Sequence, residues 1–419
     1  MITQTDLYRR LAGALDTIPA IDTHVHIKST EPLARDISQV LYYHNYVSEL
    51  IAGGAAESLR HPEMSGKDKV RTLIPEMKRS ACSSHAWMMR ELLRVVYGFN
   101  DELTEKNWES LYALSEKKRT ESGRLKTVCG FAGVEKILIH LPAETMETIG
   151  LDGSVFVGLS DIQVPAMPTG AALDAFEIKT GAAVHNAKQL FDASVAYIKR
   201  GAAVGHRGLR ISVSAASRIV RPGDSALQSA FDRAATNATL SHDDRCCLET
   251  LALDAALTGA RESGMAVQVF IEGSFFGQLR MPSAEQELIA TLHSLAATYP
   301  DVNFELYSIS APLTQSLCLF AKYVKNIYLP GVWWLCQFPS IMDSTYALRL
   351  EMLPAVKWSA FFSDAYEVEW IVGKALLTRK ELARSLALKV TEGYMSEDDA
   401  LAVASQVLSG SSKQLYKIP

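Results

Sequence analysis

Two histidines stand close together in the run Ala20-Ile21-Asp22-Thr23-His24-Val25-His26-Ile27. The neighbours are apolar and β-branched, which suits a strand, and on a strand residues i and i+2 share a face. His24 and His26 then project together, with Val25 on the opposite side. Imidazole nitrogen is a ligand for zinc and similar divalent ions. The pair therefore reads as part of a metal site, against the plainer alternative of two polar residues on a solvent-facing strand edge. A third ligand is offered near the other end of the chain. There Ser359-Ala360-Phe361-Phe362-Ser363-Asp364-Ala365 is again an apolar run, ending in an acid. Two imidazoles and one carboxylate leave coordination positions open, as a catalytic metal requires. Asp364 would ligate the metal, or act as general base toward a metal-activated water or a substrate hydroxyl.

Residues so far apart need a scaffold that brings them to one place. Eight apolar, β-rich runs recur along the chain: Ile18–Val25, Lys136–Leu141, Ser154–Asp161, Gly208–Ser214, Ala266–Glu272, Asn303–Ile309, Asn326–Trp333 and Trp358–Asp364. Several are nearly continuous in apolar residues, as strands buried on both faces are. Helical patterns separate them at Gln189–Lys199, Asp244–Ser263, Glu285–Thr298 and Pro312–Tyr323, and Gly264 reads as a helix stop. Alternating strands and helices predict a parallel sheet, and eight strand runs predict an α/β fold of the (β/α)8 TIM-barrel type. In a closed barrel the first and eighth strands are neighbours, and active sites lie at the C-terminal strand ends. His24, His26 and Asp364 end those two runs. The long interval between the first and second runs is rich in helix formers and predicts a helical insertion at about 28–130. Residues 161–185 read as a long loop, and the tail after Thr378 as helical and polar. The whole chain, 1–419, reads as a single metal-dependent barrel domain.

Composition narrows the function. Of 419 residues, 48% are hydrophobic, which is ample for a core, and the net charge is −5 with both signs scattered. No basic footprint for nucleic acid is present. Six cysteines without CxxC spacing give no zinc knuckle or disulfide framework and predict reduced thiols in a cytoplasm. The N-terminal segment reads as an amphipathic helix, and no window is long and apolar enough to span a membrane. The expected partner is a small-molecule substrate, with neither nucleic acid nor membrane, and the expected assembly is a homo-oligomer.

Four passages carry a resemblance: Ile21-Asp22-Thr23-His24-Val25-His26, Leu41-Tyr42-Tyr43-His44, Gly331-Val332-Trp333-Trp334 and Phe362-Ser363-Asp364-Ala365. In order and spacing the chain resembles the amidohydrolase superfamily, and more narrowly its uronate isomerase (glucuronate isomerase) branch, as a diverged member. The resemblance implies His24, His26 and Asp364 as ligands of one divalent metal ion, zinc being the first expectation, and promotes His44 to a catalytic role beside Asp364. No lysine lies in the fourth run to bridge a second metal. The departures concern the residues that would meet a sugar acid. Asn45 follows His44 where the resembling enzymes carry a tyrosine. Tyr366 stands where they carry an arginine, and Ser310-Ala311-Pro312 replaces another basic position. Glu272 and Phe275 occupy a further such neighbourhood, and Asp161 lies close to another.

Candidate substrate contacts are Trp333, Tyr366, Glu272, Phe275, His140 and Tyr43. His140 ends the second run and reads equally well as a hydrogen-bonded structural histidine; Glu272 stands at even odds. His206, Arg207 and Arg210 fit structural or surface roles better than an anion grip. His85, in a helix, reads as a satisfied surface histidine. The expected activity is aldose–ketose isomerisation of a sugar-like hydroxy-carbonyl other than a standard uronate. The alternatives are a hydrolase of an ester, lactone or amide through metal-activated water, and an inactive barrel with a binding role.

Overall fold

A computed structural model of the protein describes residues 5–60, 63–214, 217–272, 282–333 and 337–419. Seven strands are present among them: β1 (Ala20–Asp22), β2 (Val134–Leu141), β3 (Phe156–Ser160), β4 (Gly208–Ser214), β5 (Ala266–Glu272), β6 (Phe304–Ser308) and β7 (Ile327–Tyr328). They follow one another in the sheet in chain order and pair in parallel. Helices occupy the intervals, so the class is α/β, as the alternating pattern predicts. β4 and β5 match their expected bounds residue for residue, and they pair over their full length from Gly208↔Ala266 to Ser214↔Glu272. Gly208 is required there: a Cβ would stand 2.8 Å from the Ala266 carbonyl oxygen.

Three expected elements differ. β7 is only Ile327–Tyr328, because Pro330 has no N–H to continue the ladder. The eighth run forms no strand. It is tied by a parallel bridge, Leu329↔Trp358, and at its end Asp364 N donates to the His24 carbonyl while the Ala365 carbonyl accepts from His26 N. The run stops at Asp364, whose φ of 53° breaks the extended backbone there. The interval read as a long loop over 161–185 contains the helix Gly170–Thr180, closed by Gly181 in the left-handed conformation. Gly264 ends the helix His242–Ser263 at φ 61°, as read from the sequence. No helix among the described residues is long and apolar enough to cross a membrane.

The chain divides into two compact units. The first comprises Met1–Ile137, Cys336–Ala347 and Ala360–Ser409. Its axis is the helix Val368–Thr391, which packs on the N-terminal helix Asp6–Thr17 and on the helices Ser84–Leu92 and Arg124–Ala132. The tail after Thr378, read as polar, buries some of its charged residues, Arg379 being 5% exposed and Glu381 2%, and Lys374 earlier on the same helix is 1% exposed. Such burial demands partners. Arg379 finds them in the carbonyls of Leu15, Ile18, Ala132 and Gly133, so its guanidinium closes the ends of two helices at once.

The second unit comprises Leu138–Leu335, Leu348–Ser359 and Gly410–Pro419. Its sheet carries a buried carboxyl, Glu305, which accepts from the Tyr307 hydroxyl at 2.6 Å and the Tyr416 hydroxyl at 2.5 Å. Burial pushes this acid up to about 7, against the opposing pull of both tyrosines and of Arg349. A carboxyl raised in the folded state contributes stability that is fully present below its ordinary range and is lost as pH rises through about 7. Melting temperatures at pH 5 and pH 8 test this. Glu305→Gln cannot ionise, so it should gain roughly 3 kcal/mol on the wild type between those values. An equal gap at both pH values would show that Glu305 is ionised throughout.

Candidate metal centre

The site lies in the first unit. β1 ends at Asp22, earlier than the sequence pattern predicts, so His24 and His26 stand on irregular backbone just beyond it. That backbone is held by residues 363–365. Asp364 N donates to the His24 carbonyl at 3.0 Å, and His26 N to the Ala365 carbonyl at 2.8 Å. Asp22, fully buried, accepts from Ser363 N at 2.9 Å. Burial pushes the Asp22 carboxyl up to about 7, while Ser363, the His24 backbone and Lys374 pull it down.

Three donor atoms converge from this frame. His24 Nε2 and His26 Nε2 are 3.4 Å apart, and Asp364 Oδ1 lies 3.1 Å from His26 Nε2 and 3.6 Å from His24 Nε2. Three ligands bound tetrahedrally to one ion at ~2.0–2.1 Å stand about 3.3 Å from one another. The observed spacings bracket that value. Asp364 Oδ1 is also buried without a hydrogen-bond partner among the described residues. Such an oxygen is costly to desolvate, and a cation satisfies it. The donor set of two imidazoles and a carboxylate therefore fits a divalent ion. Asp364 takes a left-handed backbone that non-glycine residues adopt at some cost, and this conformation turns its side chain onto the two imidazoles.

Around the triad the rings form a wall. Tyr366 stacks on His26 with centroids 4.9 Å apart and planes at 16°. His44 stands edge-on to Tyr366, also at 4.9 Å. Tyr366 thus packs against two imidazoles of the site. Burial, with Asp364 nearby, raises its phenol above the ordinary range. His44 opens the helix His44–Ala52. Burial, reinforced by the Lys374 ammonium and only partly opposed by Asp364, pulls its imidazole down to about 4. At neutral pH it is an uncharged acceptor.

Tyr43, the residue before it, is buried against Trp370. Its hydroxyl meets the Lys374 ammonium at 2.9 Å and the Asn45 amide at 3.1 Å. Asn45 is therefore tied to Tyr43. Lys374 also donates to the carbonyls of Ser363 and Asp364, fixing the turn that carries the third ligand. Sequence reasoning passed over Lys374, because a lysine in a long helix carries no local sign of burial.

The other candidates that the structure describes fall in the second unit. In the second unit, His140 on β2 is half-buried, and Trp333 is half-buried and edge-on to Phe270 at 5.0 Å. Glu272 ends β5. Phe275 and Trp334 lie outside the described residues. His206 is buried and structural, sharing a hydrogen bond with Ser160 and approaching the Glu144 carbonyl. Arg210 lies over the Phe270 ring.

No family model matches the chain, and no curated protein matches it. Solved structures do. The uronate isomerase of Thermotoga maritima superposes with a TM-score of 0.85 at 15% identity, covering 98% of this chain and 97% of that one. The glucuronate isomerase of Caulobacter crescentus gives 0.81 at 15%, over 98% and 94%. A uronate isomerase of Bacillus halodurans gives 0.72 at 17%, over 98% and 96%. The likeness read from a few short motifs thus extends over almost the whole chain, and the protein has the fold of the uronate isomerases in a strongly diverged sequence.

Proposed function

We propose that the protein is a metal-dependent barrel enzyme of the amidohydrolase type that interconverts an aldose and a ketose, acting on a neutral sugar-like hydroxy-carbonyl. The observation that carries this reading is the convergence of His24, His26 and Asp364, with a buried carboxylate oxygen left without a hydrogen bond. In this reading the run Trp358–Asp364 takes the place of the eighth strand, and the helices between β1 and β2 are an insertion on the first loop. His24, His26 and Asp364 hold one divalent ion, zinc first. When bound, the ion supplies Lewis acidity toward a carbonyl and its neighbouring hydroxyl. Neutral His44 takes the proton from the hydroxyl-bearing carbon next to the carbonyl and returns it to the former carbonyl carbon. Asp364 takes the proton of that hydroxyl and delivers it to the former carbonyl oxygen, so that the C–H, O–H and C=O positions exchange without net loss. Lys374 and Tyr43 keep the ligand turn and the His44 helix in register.

Incubation of the metal-loaded protein with aldoses and ketoses in deuterated water tests the reaction. Deuterium appearing at the carbon next to the carbonyl, without net hydrolysis, supports isomerisation. Turnover of a parallel panel of esters and lactones, with no exchange, would replace this reading by metal-assisted hydrolysis.

Ordinary glucuronate and galacturonate should be poor substrates. Tyr366 and Asn45 offer no positive charge, and the Lys374 ammonium is committed to Tyr43 and two carbonyls. A carboxylate entering such a site gives up its water without matched donors, at a cost of several kcal/mol. A ketose assay at millimolar uronate should read well below the ~1–10³ per second of ordinary enzymes; turnover within that range would restore the plain uronate reading.

A further inference from the structure

The helices of the first unit hold a second histidine that the metal centre does not use. His85, at the start of the helix Ser84–Leu92, is only 3% exposed, although its sequence setting suggests a surface position. Its Nδ1 lies 2.5 Å from Glu49 Oε1. Ser80 donates to the other Glu49 oxygen at 2.7 Å. Burial pulls the Glu49 carboxyl up, but hydrogen bonds from His85, Ser83 and Ser80 outweigh it and hold the acid below its ordinary range. Glu49 is thus a carboxylate that fixes the imidazole with a proton on Nδ1, as carboxylates do for working histidines. The opposite ring nitrogen, Nε2, is buried and has no hydrogen-bond partner among the described residues. The neighbouring rings are Tyr43 at 5.6 Å and Phe338 at 6.5 Å, neither offering a hydrogen bond through its face. Tyr43 in turn contacts His44 at 4.7 Å, so a single ring separates His85 from the proposed proton carrier. Packed interiors avoid a buried acceptor that nothing satisfies.

We propose that His85, held by Glu49, is a further substrate-binding residue, whose Nε2 lone pair accepts a hydrogen bond from a hydroxyl of a neutral polyhydroxylated substrate. This inference rests on the proposed function above and sharpens it. An acceptor repels a carboxylate and welcomes a hydroxyl, so His85 selects in the same direction as the loss of arginine at Tyr366. Glu49 acts through His85 as a positioning residue.

Histidine ¹⁵N NMR on the full-length, zinc-loaded protein tests this, with xylitol, erythritol and D-mannitol as non-reacting probes. His85→Asn assigns the signal. It keeps a donor toward Glu49 and lacks the outer nitrogen. The expected result is a His85 ring whose Nδ1 carries the proton shared with Glu49, and an Nε2 resonance that moves as a polyol binds. His85→Asn should melt like the wild type and bind that polyol about tenfold more weakly or worse, while His85→Gln, which restores a polar atom near the Nε2 position, recovers part of the loss. A ring protonated on Nε2 overturns the proposal. So does a polyol that moves the His24, His26 or His44 signals and leaves His85 still, in which case the proposed function stands without it. If none of the three polyols moves any histidine, both readings fall together.

Discussion

His24→Ala and His26→Ala should each yield a folded protein that no longer retains zinc and has no measurable activity. Either change removes one of three converging donors, and two remaining ligands hold a divalent ion weakly. The side chains lie beyond the end of β1, and the segment's hydrogen bonds to residues 364–365 run through the backbone, so the fold should survive. Thermal melting reads the effect without any substrate. A ligand present at about a hundred times its dissociation constant stabilises the folded state by ~2.7 kcal/mol. The wild type should therefore melt several degrees higher when zinc is added, and the two variants should not respond. An equal zinc response in both would sink the metal centre, whatever the activity.

Asp364→Asn should fold normally and lose kcat by roughly 10²–10⁴, the usual scale for removing an acid–base group. Asparagine is the informative replacement because it tolerates the left-handed backbone found at this position, whereas alanine would add strain of its own. The exchange keeps the shape and the contact to His26 but removes the charge. A change confined to KM would assign Asp364 to uniform binding and remove it from the chemistry.

What could be read from the sequence depended on how local the physics is. β4 alternates buried Leu209, Ile211 and Val213 with the less buried Arg210 and Ser212, β5 is a nearly continuous apolar run buried from Ala266 to Ile271, and the bounds of both follow from the local pattern. The His-x-His pair is legible because its spacing is local. Asp364 is legible only as the polar end of an apolar run. The left-handed turn that aims it depends on Asp22, which lies far off in the chain, and on Lys374 in the helix that follows. The strand ending at Asp22 also shows that the histidines converge through hydrogen bonds to residues 364–365, without the alternation of a strand that first suggested their pairing. Lys374, Glu49 and His85 sit in helices where a charged or polar residue looks the same whether it faces solvent or core. Their burial is decided by which helix packs against them, and no short window records that.

The hydrogen bond between Ser363 and Asp22 spans 341 residues of chain, and the Arg379 contact to Leu15 spans 364. During synthesis at ~5–20 residues per second, the two histidines emerge some 20–70 s before the carboxylate that completes their set. For that interval they form a bare imidazole pair. Such a pair favours copper or nickel over zinc by the general order of divalent affinities. The oxygen ligand and the buried frame that shapes a three-donor site arrive only with the last helices. An ion captured by the bare pair in that interval would be enclosed when the rest of the site forms, so the metals supplied during synthesis would bias the ion held afterwards. Protein made in copper- or nickel-rich medium should retain the wrong ion more often than protein stripped of metal and refilled after folding.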